Sequence, residues 1–178
     1  WIGGLEGGLQ MIAKSGKTQK TFDDINWIHS IEVISSDQIA VATVNGFCII
    51  NKKTGKVQRY ATSKDFNEQN ASAYIISMLF NNDGTVWLGG GLSLYNMHTR
   101  ELKTFTTSEG MLSNDVYSLQ RDSKGCIWAS TGKGLAIVKD FKVLNLNYIY
   151  DIDKVYNKSA CIRLSDGRFA YGSTSGAV

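Results

Sequence analysis

Val86-Trp87-Leu88-Gly89-Gly90-Gly91-Leu92 is the stretch that decides the fold, because the chain repeats it. A short apolar strand containing Trp runs into a glycine-rich turn, and the same pattern stands at Trp1-Ile2-Gly3-Gly4-Leu5 and at Ile127-Trp128-Ala129-Ser130-Thr131-Gly132. Two degenerate copies, with Ala at the Trp position, are Ile39-Ala40-Val41-Ala42-Thr43 and Phe169-Ala170-Tyr171-Gly172-Ser173. The chain is therefore a repeat array.

The spacing of the copies indicates what each repeat folds into. From Trp1 through Ala40, Trp87 and Trp128 to Ala170, the steps are 39, 47, 41 and 42 residues. Four-stranded propeller blades have a period of about 40 to 50 residues, whereas helical repeats of this length need long stretches with a 3.6-residue period. No such stretches stand out in the sequence. We therefore predict an all-β chain, a β-propeller of four-stranded antiparallel blades.

The repeats divide the chain into a single propeller segment. We predict a partial blade at 1–24, blades at about 25–70, 71–112 and 113–155, and a partial blade at 156–178. Because both ends fall at a second strand, we expect about four blades of a larger ring, with seven blades the favoured number; closure into a four-bladed ring is the alternative. Uncovered blade faces would favour association, so a homodimer is a further option.

The composition limits the classes of function. The chain has 178 residues, 43% of them hydrophobic, which suits one globular domain. Its net charge of +3, from 19 basic and 16 acidic residues, is too small to argue for nucleic acid or an anionic membrane. No apolar run is long enough to span a membrane, so direct membrane insertion is not expected. We expect Cys48, Cys126 and Cys161 to be buried, unpaired thiols.

Two kinds of residue are expected to hold the repeat together. Trp1, Trp87 and Trp128 are predicted to pack between blades. Aspartates stand in the turns after the inner strands, where an Asp side chain closes a turn by accepting hydrogen bonds from nearby amides. These turns contain Asp37, Asp83 with Gly84, Asp122 with Gly125, and Asp166; the set Asp122, Gly125 and Trp128 fits the Asp-box of sialidase-like propellers best.

Two stretches resemble a known family. They are Val86-Trp87-Leu88-Gly89-Gly90-Gly91-Leu92-Ser93-Leu94-Tyr95, and Ser113 to Asp122 leading into Gly125-Cys126-Ile127-Trp128. Both are similar to the two-component regulator propeller repeat. The resemblance extends over essentially the whole chain and departs from the pattern at Ala40 and Ala170, where the Trp is missing.

The resemblance implies a setting and partners. Such repeats form the extracytoplasmic sensor part of hybrid two-component systems, especially in gut Bacteroides, where two propellers and a β-sandwich precede a membrane helix, a histidine kinase, a receiver and a DNA-binding domain. It therefore implies a periplasmic, membrane-anchored sensor of a polysaccharide breakdown product. The remaining propeller and β-sandwich domains would be partners, the kinase activity would lie outside this chain, and the segment itself would bind no nucleic acid.

The residues do not mark a catalytic centre. A glycosidase needs two carboxylates about 5 to 10 Å apart, and the scattered glutamates mark no such pair. His29 and His98 lie in different parts of their repeats, which makes cooperation between them difficult. We predict no catalytic residue, no metal ligand and no cofactor.

Topology predicts where a ligand would bind. Successive connections in an antiparallel blade alternate ends, so the turn between the second and third strands shares an end with the loop leading into the next inner strand. Aromatic rings beside amide and carboxyl groups suit sugars. The alternative is that Trp27 and Tyr74 plug the throat of the ring or pack between blades. The candidate ligand-binding residues at this end are Trp27, His29, Tyr74, Asn114, Asp115 and Lys133.

Three functions are compatible with these observations. The first is a non-catalytic, ligand-sensing segment of a two-component receptor, with an oligosaccharide as the ligand. The second is a platform for protein–protein interaction, and the third is a propeller enzyme acting on polysaccharide. Since many functions share this fold, the preference for the first rests on the family resemblance.

Overall fold

The computed structural model describes residues 1–62, 66, 74–146, 156–173 and 176–177, and within them nearly all regular structure is antiparallel β-sheet. The chain forms two compact units, Trp1–Ile75 (unit 1) and Ile76–Val178 (unit 2). Each unit consists of sheets whose strands follow one another in chain order, so every connection within a sheet is a hairpin. The all-β, propeller-type architecture predicted from the repeat is confirmed.

Unit 1 contains two sheets. The three-stranded sheet is β1 (Ile2–Gly3), β2 (Leu9–Ile12) and β3 (Thr18–Phe22); the four-stranded sheet is β4 (Ile28–Val33), β5 (Gln38–Thr43), β6 (Gly46–Asn51) and β7 (Val57–Tyr60).

Unit 2 contains three sheets in its described part. The first is β8 (Met78–Phe80), β9 (Thr85–Leu88), β10 (Ser93–Asn96) and β11 (Leu102–Thr104). The second is β12 (Val116–Arg121), β13 (Ile127–Thr131), β14 (Gly134–Lys139) and β15 (Lys142–Asn145). The third is β16 (Tyr156–Arg163), β17 (Phe169–Ser173) and β18 (Gly176–Ala177). A 3-10 helix, Thr107–Glu109, precedes β12.

The inner strand of the third repeat is shorter than the run of apolar residues from Ile75 to Phe80. It begins at Met78 because the preceding residues bond to Gly89 instead: Ile76 N donates to Gly89 O, and Gly89 N donates to Ser77 O, both at 2.9 Å. Ser77 Oγ lies so close to the Gly89 Cα that a Cβ there would collide with it. The glycine-rich turn thus permits a close backbone approach.

Trp87 lies in the core between two sheets of unit 2. Its side chain is 7% exposed and belongs to a buried cluster that includes Val116 and Leu119 of the following sheet. The ring centroids of Trp87 and Phe105 are 5.4 Å apart. Burial of a side chain of this size is among the largest single contributions to folding in the chain.

The other two tryptophans of the repeat also contact a neighbouring sheet. Trp1 packs against the cluster that contains Ile28 in unit 1. In unit 2, Trp128 packs against the cluster that contains Tyr171, with its ring centroid 6.0 Å from that of Phe169. Each is half-buried, so the three rings are not equally enclosed.

The same backbone hydrogen bond recurs at a fixed place in three repeats. The carbonyl three residues after the Trp position accepts an N–H from the start of the following repeat. Gly4 O accepts from Ile28 N at 3.0 Å, Thr43 O from Ile75 N at 3.1 Å, and Gly90 O from Val116 N at 3.1 Å. Each junction sets the turn after a second strand against the loop leading into the next inner strand.

Asp122 organises its turn through both carboxylate oxygens. Oδ1 accepts from the amides of Lys124 and Cys126, both at 2.9 Å, and Oδ2 accepts from Trp128 Nε1 at 3.0 Å. Partial desolvation, the largest single influence, raises the pKa of Asp122, but these hydrogen bonds together outweigh it and hold the pKa below its usual value. Gly125 completes the turn with a φ of +81°, a conformation that favours glycine.

The remaining Asp turns are simpler, and one departs from expectation. Asp83 accepts from the Thr85 amide at 2.9 Å beside Gly84, whose φ is +82°, and Asp166 accepts from the Arg168 amide at 3.0 Å. The Asp37 carboxylate instead pairs with Lys53 Nζ at 3.0 Å, and the Ser35 hydroxyl accepts the Asp37 amide. The prediction that Asp37 closes its turn is therefore wrong, because a hydroxyl two residues earlier takes that role.

Two expectations from composition can be compared with the structure. Cys48 and Cys126 are buried and unpaired, whereas Cys161 is unpaired but only half-buried. Burial raises the pKa of the Cys48 thiol to about 11. Within the described ranges, no helix has the length and apolar character required to span a bilayer.

Candidate functional site

Two loops of unit 1 meet at Trp27. One loop, residues 5–8, connects β1 to β2, and the other, residues 23–27, connects β3 to β4. Trp27 N donates to Leu5 O at 3.1 Å, directly beside the Gly4–Ile28 junction between the two sheets. We call these two segments the Trp27 loops.

Asn26 locks the Trp27 loops to each other. Its Oδ1 accepts the amide of Gly8 at 3.0 Å, and its Nδ2 donates to the carbonyl of Asp23 at 2.8 Å. One amide side chain therefore bonds to both loops. A site held by such contacts is preorganised, which lowers the entropy lost when a ligand binds.

Trp27 has an unusual backbone and an exposed ring. Its φ is +55°, in the left-handed region, which costs a residue with a side chain roughly 1–2 kcal/mol relative to ordinary conformations. The residue is nevertheless 49% exposed, and its neighbour Leu5 is 55% exposed. An exposed indole beside an exposed leucine offers an apolar platform that the fold keeps at its surface.

His29 and Tyr74 contact one another in unit 1. Their ring centroids are 4.7 Å apart, with an angle of 59° between the ring planes. Both residues are half-buried, and Tyr74 directly precedes Ile75, whose amide donates to Thr43 O. The contact packs the residue before Ile75 against β4, and part of each residue remains accessible.

Carboxylates dominate the charge around the Trp27 loops. Glu6, Asp23 and Asp24 lie within the two loops and are exposed. Asp24 pairs with Arg59 of β7, with 2.5 Å between Oδ2 and the guanidinium. A ligand that contacts this end would thus meet the Trp27 ring together with hydrogen-bond acceptors.

The candidates of unit 2 sit in a different environment. Asn114 is exposed, but its Oδ1 already accepts the amide of Thr107 at 3.0 Å, the first residue of the 3-10 helix. The amide of Asp115 donates to Ser113 Oγ at 3.1 Å, which fixes the backbone just before β12. Asn114 therefore acts first as a folding residue of the loop.

Lys133 lies beside Asp115 at the turn between β13 and β14. The amide of Gly132 donates to Asp115 O at 3.2 Å, and the amide of Lys133 donates to Thr131 Oγ1 at 3.1 Å. Thr131 Oγ1 in turn donates to Gly134 O at 2.8 Å, so the turn is closed by its threonine. The Lys133 side chain is exposed at this turn.

The structure thus groups the predicted residues into two sets. Within unit 1, Trp27, His29 and Tyr74 lie at the same end of the sheets; within unit 2, Asn114, Asp115 and Lys133 do so. Leu5 was not predicted from the sequence, because a single leucine in a glycine-rich turn forms no motif that indicates binding. Across the described residues, His, Cys, Asp and Glu side chains form no group of three suited to a metal ion.

Sequence reasoning also missed Phe141, an aromatic residue in a comparable setting. It is 56% exposed, has a φ of +59°, and lies in the two-residue turn between β14 and β15. Lys103 Nζ lies 4.2 Å from the centroid of its ring. Such turns favour Asn-Gly or Asp-Gly, so the Asp140-Phe141 pair gave no turn signal.

Comparison with known proteins confirms the predicted resemblance. Residues 110–133 match the two component regulator propeller family, and they contain β12, the Asp122 turn and β13. No curated protein matches the chain.

Solved structures share the fold. The extracellular domain of a hybrid two component system from B. thetaiotaomicron has a TM-score of 0.67 at 20% identity, covering 88% of this chain and 21% of its own. A second such domain from that organism has a TM-score of 0.68 at 21% identity, covering 96% and 22%. Virginiamycin B lyase from Staphylococcus aureus has a TM-score of 0.57 at 17% identity, covering 81% and 48%. The chain spans about a fifth of the two extracellular domains.

Proposed function

We propose that this chain is a sensing segment of the extracytoplasmic, periplasmic part of a membrane-anchored two-component receptor. We further propose that it binds an oligosaccharide at the Trp27 loops without transforming it. The match to the two component regulator propeller and the shared fold with extracellular domains of hybrid two component systems support the setting. The other propeller and β-sandwich domains of the receptor would be its partners, and a homodimer is a further possibility for the assembled receptor.

The main support for binding at the Trp27 loops is the exposure and backbone conformation of Trp27. Its ring is half exposed although its backbone occupies a conformation that costs about 1–2 kcal/mol. The Leu5 carbonyl accepts the Trp27 amide, and the Asn26 side chain bonds the two loops to each other. Residues held in strained backbone conformations cluster at ligand-binding and active sites. Sugar rings stack on an indole face while their hydroxyls bond to carboxylates and amides, and Glu6 and Asp23 lie in the same loops.

The contacts of the two histidines do not indicate catalysis. Of the two histidines, His29 packs on Tyr74, and His98 lies against Gly84 in a turn of unit 2. Among the described residues, these two contacts pair neither imidazole with a serine, threonine or cysteine, the arrangement that activates such a nucleophile in covalent catalysis. The carboxylates of Glu6, Asp23 and Asp24 can accept hydrogen bonds from sugar hydroxyls, which is sufficient for binding a sugar without converting it.

A thermal-shift screen against a panel of oligosaccharides tests the proposal. We expect one sugar to raise the melting temperature of the chain and to be recovered unchanged. Trp27→Ala should remove that shift. The matched control is Phe141→Ala, because it removes an aromatic ring of similar exposure and similar φ from a turn outside the site. Loss of the shift in both variants, or in neither, contradicts binding at the Trp27 loops, and conversion of the sugar points to an enzyme.

Phe141 favours a second candidate function, a protein-binding platform. The exposed Phe141 ring, in the turn before β15, and the aliphatic side chain of Leu144, 51% exposed on β15, offer apolar contact area, and the Lys103 ammonium lies over the Phe141 ring. Exposed aromatic residues of this kind are typical anchors of protein interfaces. If the platform is the function, Phe141→Ala rather than Trp27→Ala weakens capture of the partner, so the same two variants separate the hypotheses.

A further inference from the structure

The lysines of unit 1 gather at the end of the sheets opposite the Trp27 loops. Lys14 and Lys17 belong to the turn between β2 and β3, whereas Lys52, Lys53 and Lys56 belong to the turn between β6 and β7. Turns in antiparallel sheets alternate between the two ends, and both of these turns lie one strand away from the connections at the Trp27 end. We call these five residues the lysine end.

Contacts hold the two turns of the lysine end next to each other. Lys20 of β3 reaches across to the second turn, where its Nζ lies 2.5 Å from the point that a Cβ on Gly55 would occupy. Lys52 N donates to Asp37 O at 2.8 Å, which ties the second turn to the turn between β4 and β5. The lysines are far apart in sequence, and the fold brings them together.

Few carboxylates offset this charge. Asp37, the acidic residue of the adjacent turn, is already paired with Lys53. Glu32 of β4, the residue before Val33, lies near these turns and accepts a hydrogen bond from Ser30 Oγ at 3.1 Å, so two described carboxylates face five lysines. The other described carboxylates of unit 1, which are Glu6, Asp23 and Asp24, belong to the Trp27 loops themselves. Lys14, Lys17, Lys53 and Lys56 are exposed, so the lysine end presents a net positive charge to solvent.

We propose that the lysine end docks on a membrane surface that contains anionic phospholipid. Every cation there is a lysine, a hydrated point charge that suits dispersed phosphate groups, whereas bidentate recognition of a carboxylate or phosphate in a shaped site favours arginine. Val33, at the end of β4 beside the same turns, is 72% exposed and adds an apolar contact. Clustered lysines bind anionic bilayers by electrostatics, with each lysine near the surface contributing about fivefold in affinity.

Co-sedimentation with lipid vesicles tests this surface independently of sugar binding. The 178-residue chain is mixed with vesicles of phosphatidylcholine alone, or of phosphatidylcholine with phosphatidylglycerol. We expect binding to the anionic vesicles only, and a steep loss of binding as salt is raised, because exposed charges are screened. The triple variant Lys14→Gln, Lys17→Gln, Lys56→Gln should bind about a hundredfold more weakly, which is three such contributions combined.

The matched control removes the same charge from unit 2. Lys124→Gln, Lys139→Gln, Lys142→Gln neutralises three exposed lysines, each within two residues of an aspartate, and should leave vesicle binding within about threefold of the parent chain. Equal loss in both triple variants would mean that only net charge matters and would overturn the proposal. So would no binding to anionic vesicles, or salt-sensitive binding to a soluble sulfated polysaccharide in preference to the vesicles.

Discussion

Trp27 and Trp87 are the same residue type in opposite settings. Trp87 is 7% exposed in β9 and packs against Phe105 and the following sheet of unit 2. Trp27 is 49% exposed in a loop of unit 1, with a left-handed backbone held by Leu5. The ring of Trp87 packs in the core between sheets, whereas Trp27 is fixed through its backbone and its ring stays at the surface.

This difference separates folding residues from candidate binding residues. A ring that fills the space between sheets cannot be removed without leaving a cavity, and it has no face left for a ligand. A ring kept at the surface by a strained backbone contributes little to stability and remains accessible. Stability measurements on matched variants therefore test the assignment before any ligand is known.

The largest expected effect belongs to Trp87. Trp87→Ala removes a buried ring from the inter-sheet core, and we expect a loss of about 3–5 kcal/mol in the free energy of unfolding. Urea denaturation followed by circular dichroism measures it. A loss below about 1 kcal/mol would show that the two sheets do not depend on this ring, and the contrast with Trp27 would disappear.

Asp122 provides the next largest effect. Asp122→Ala removes the acceptor of three hydrogen bonds, including the one from Trp128 Nε1, and we expect a loss of about 2 kcal/mol. Asp37→Ala is the control, since it removes only an exposed ion pair with Lys53, worth about 0.5 kcal/mol. Equal losses in the two variants would contradict a special role for the Asp122 turn.

Acid should weaken the same turn. Because its hydrogen bonds hold the pKa of Asp122 below the ordinary value near 3.8, the folded state favours the carboxylate more than the unfolded state does. Its contribution is present above the unfolded pKa and is lost as the pH falls through the folded pKa, so stability should decrease below about pH 4. Urea midpoints measured from neutral pH downward should fall less steeply for Asp122→Ala than for the parent chain. Parallel profiles would assign the acid sensitivity to other carboxylates, such as Asp83, Asp166 and Glu109, whose pKa values are also lowered by hydrogen bonds.

Much of the fold follows from local sequence signals, but the site does not. The period of the Trp motif and the Asp-Gly turns are local, and they predict the sheets. Asn114 illustrates the limit: its side chain looks available in the sequence, yet the amide of the 3-10 helix seven residues earlier occupies its oxygen. The left-handed backbone of Trp27 depends on a carbonyl from another loop, and the lysine end depends on Lys20 bridging two sheets. Each of these features is set by contacts distant in sequence.

The smallest effect, and the one opposite in sign to that of Trp87, is expected at Trp27. Asparagine tolerates the left-handed region better than other residues with side chains, so Trp27→Asn should relieve strain while giving up only an exposed ring. We expect the free energy of unfolding to stay unchanged or to rise by up to about 1 kcal/mol, measured by urea denaturation beside Trp87→Ala. A loss of more than about 1 kcal/mol would mean that the fold depends on the indole after all. Trp27 would then be a packing residue like Trp87, and the case for a ligand on its surface would lose its main support.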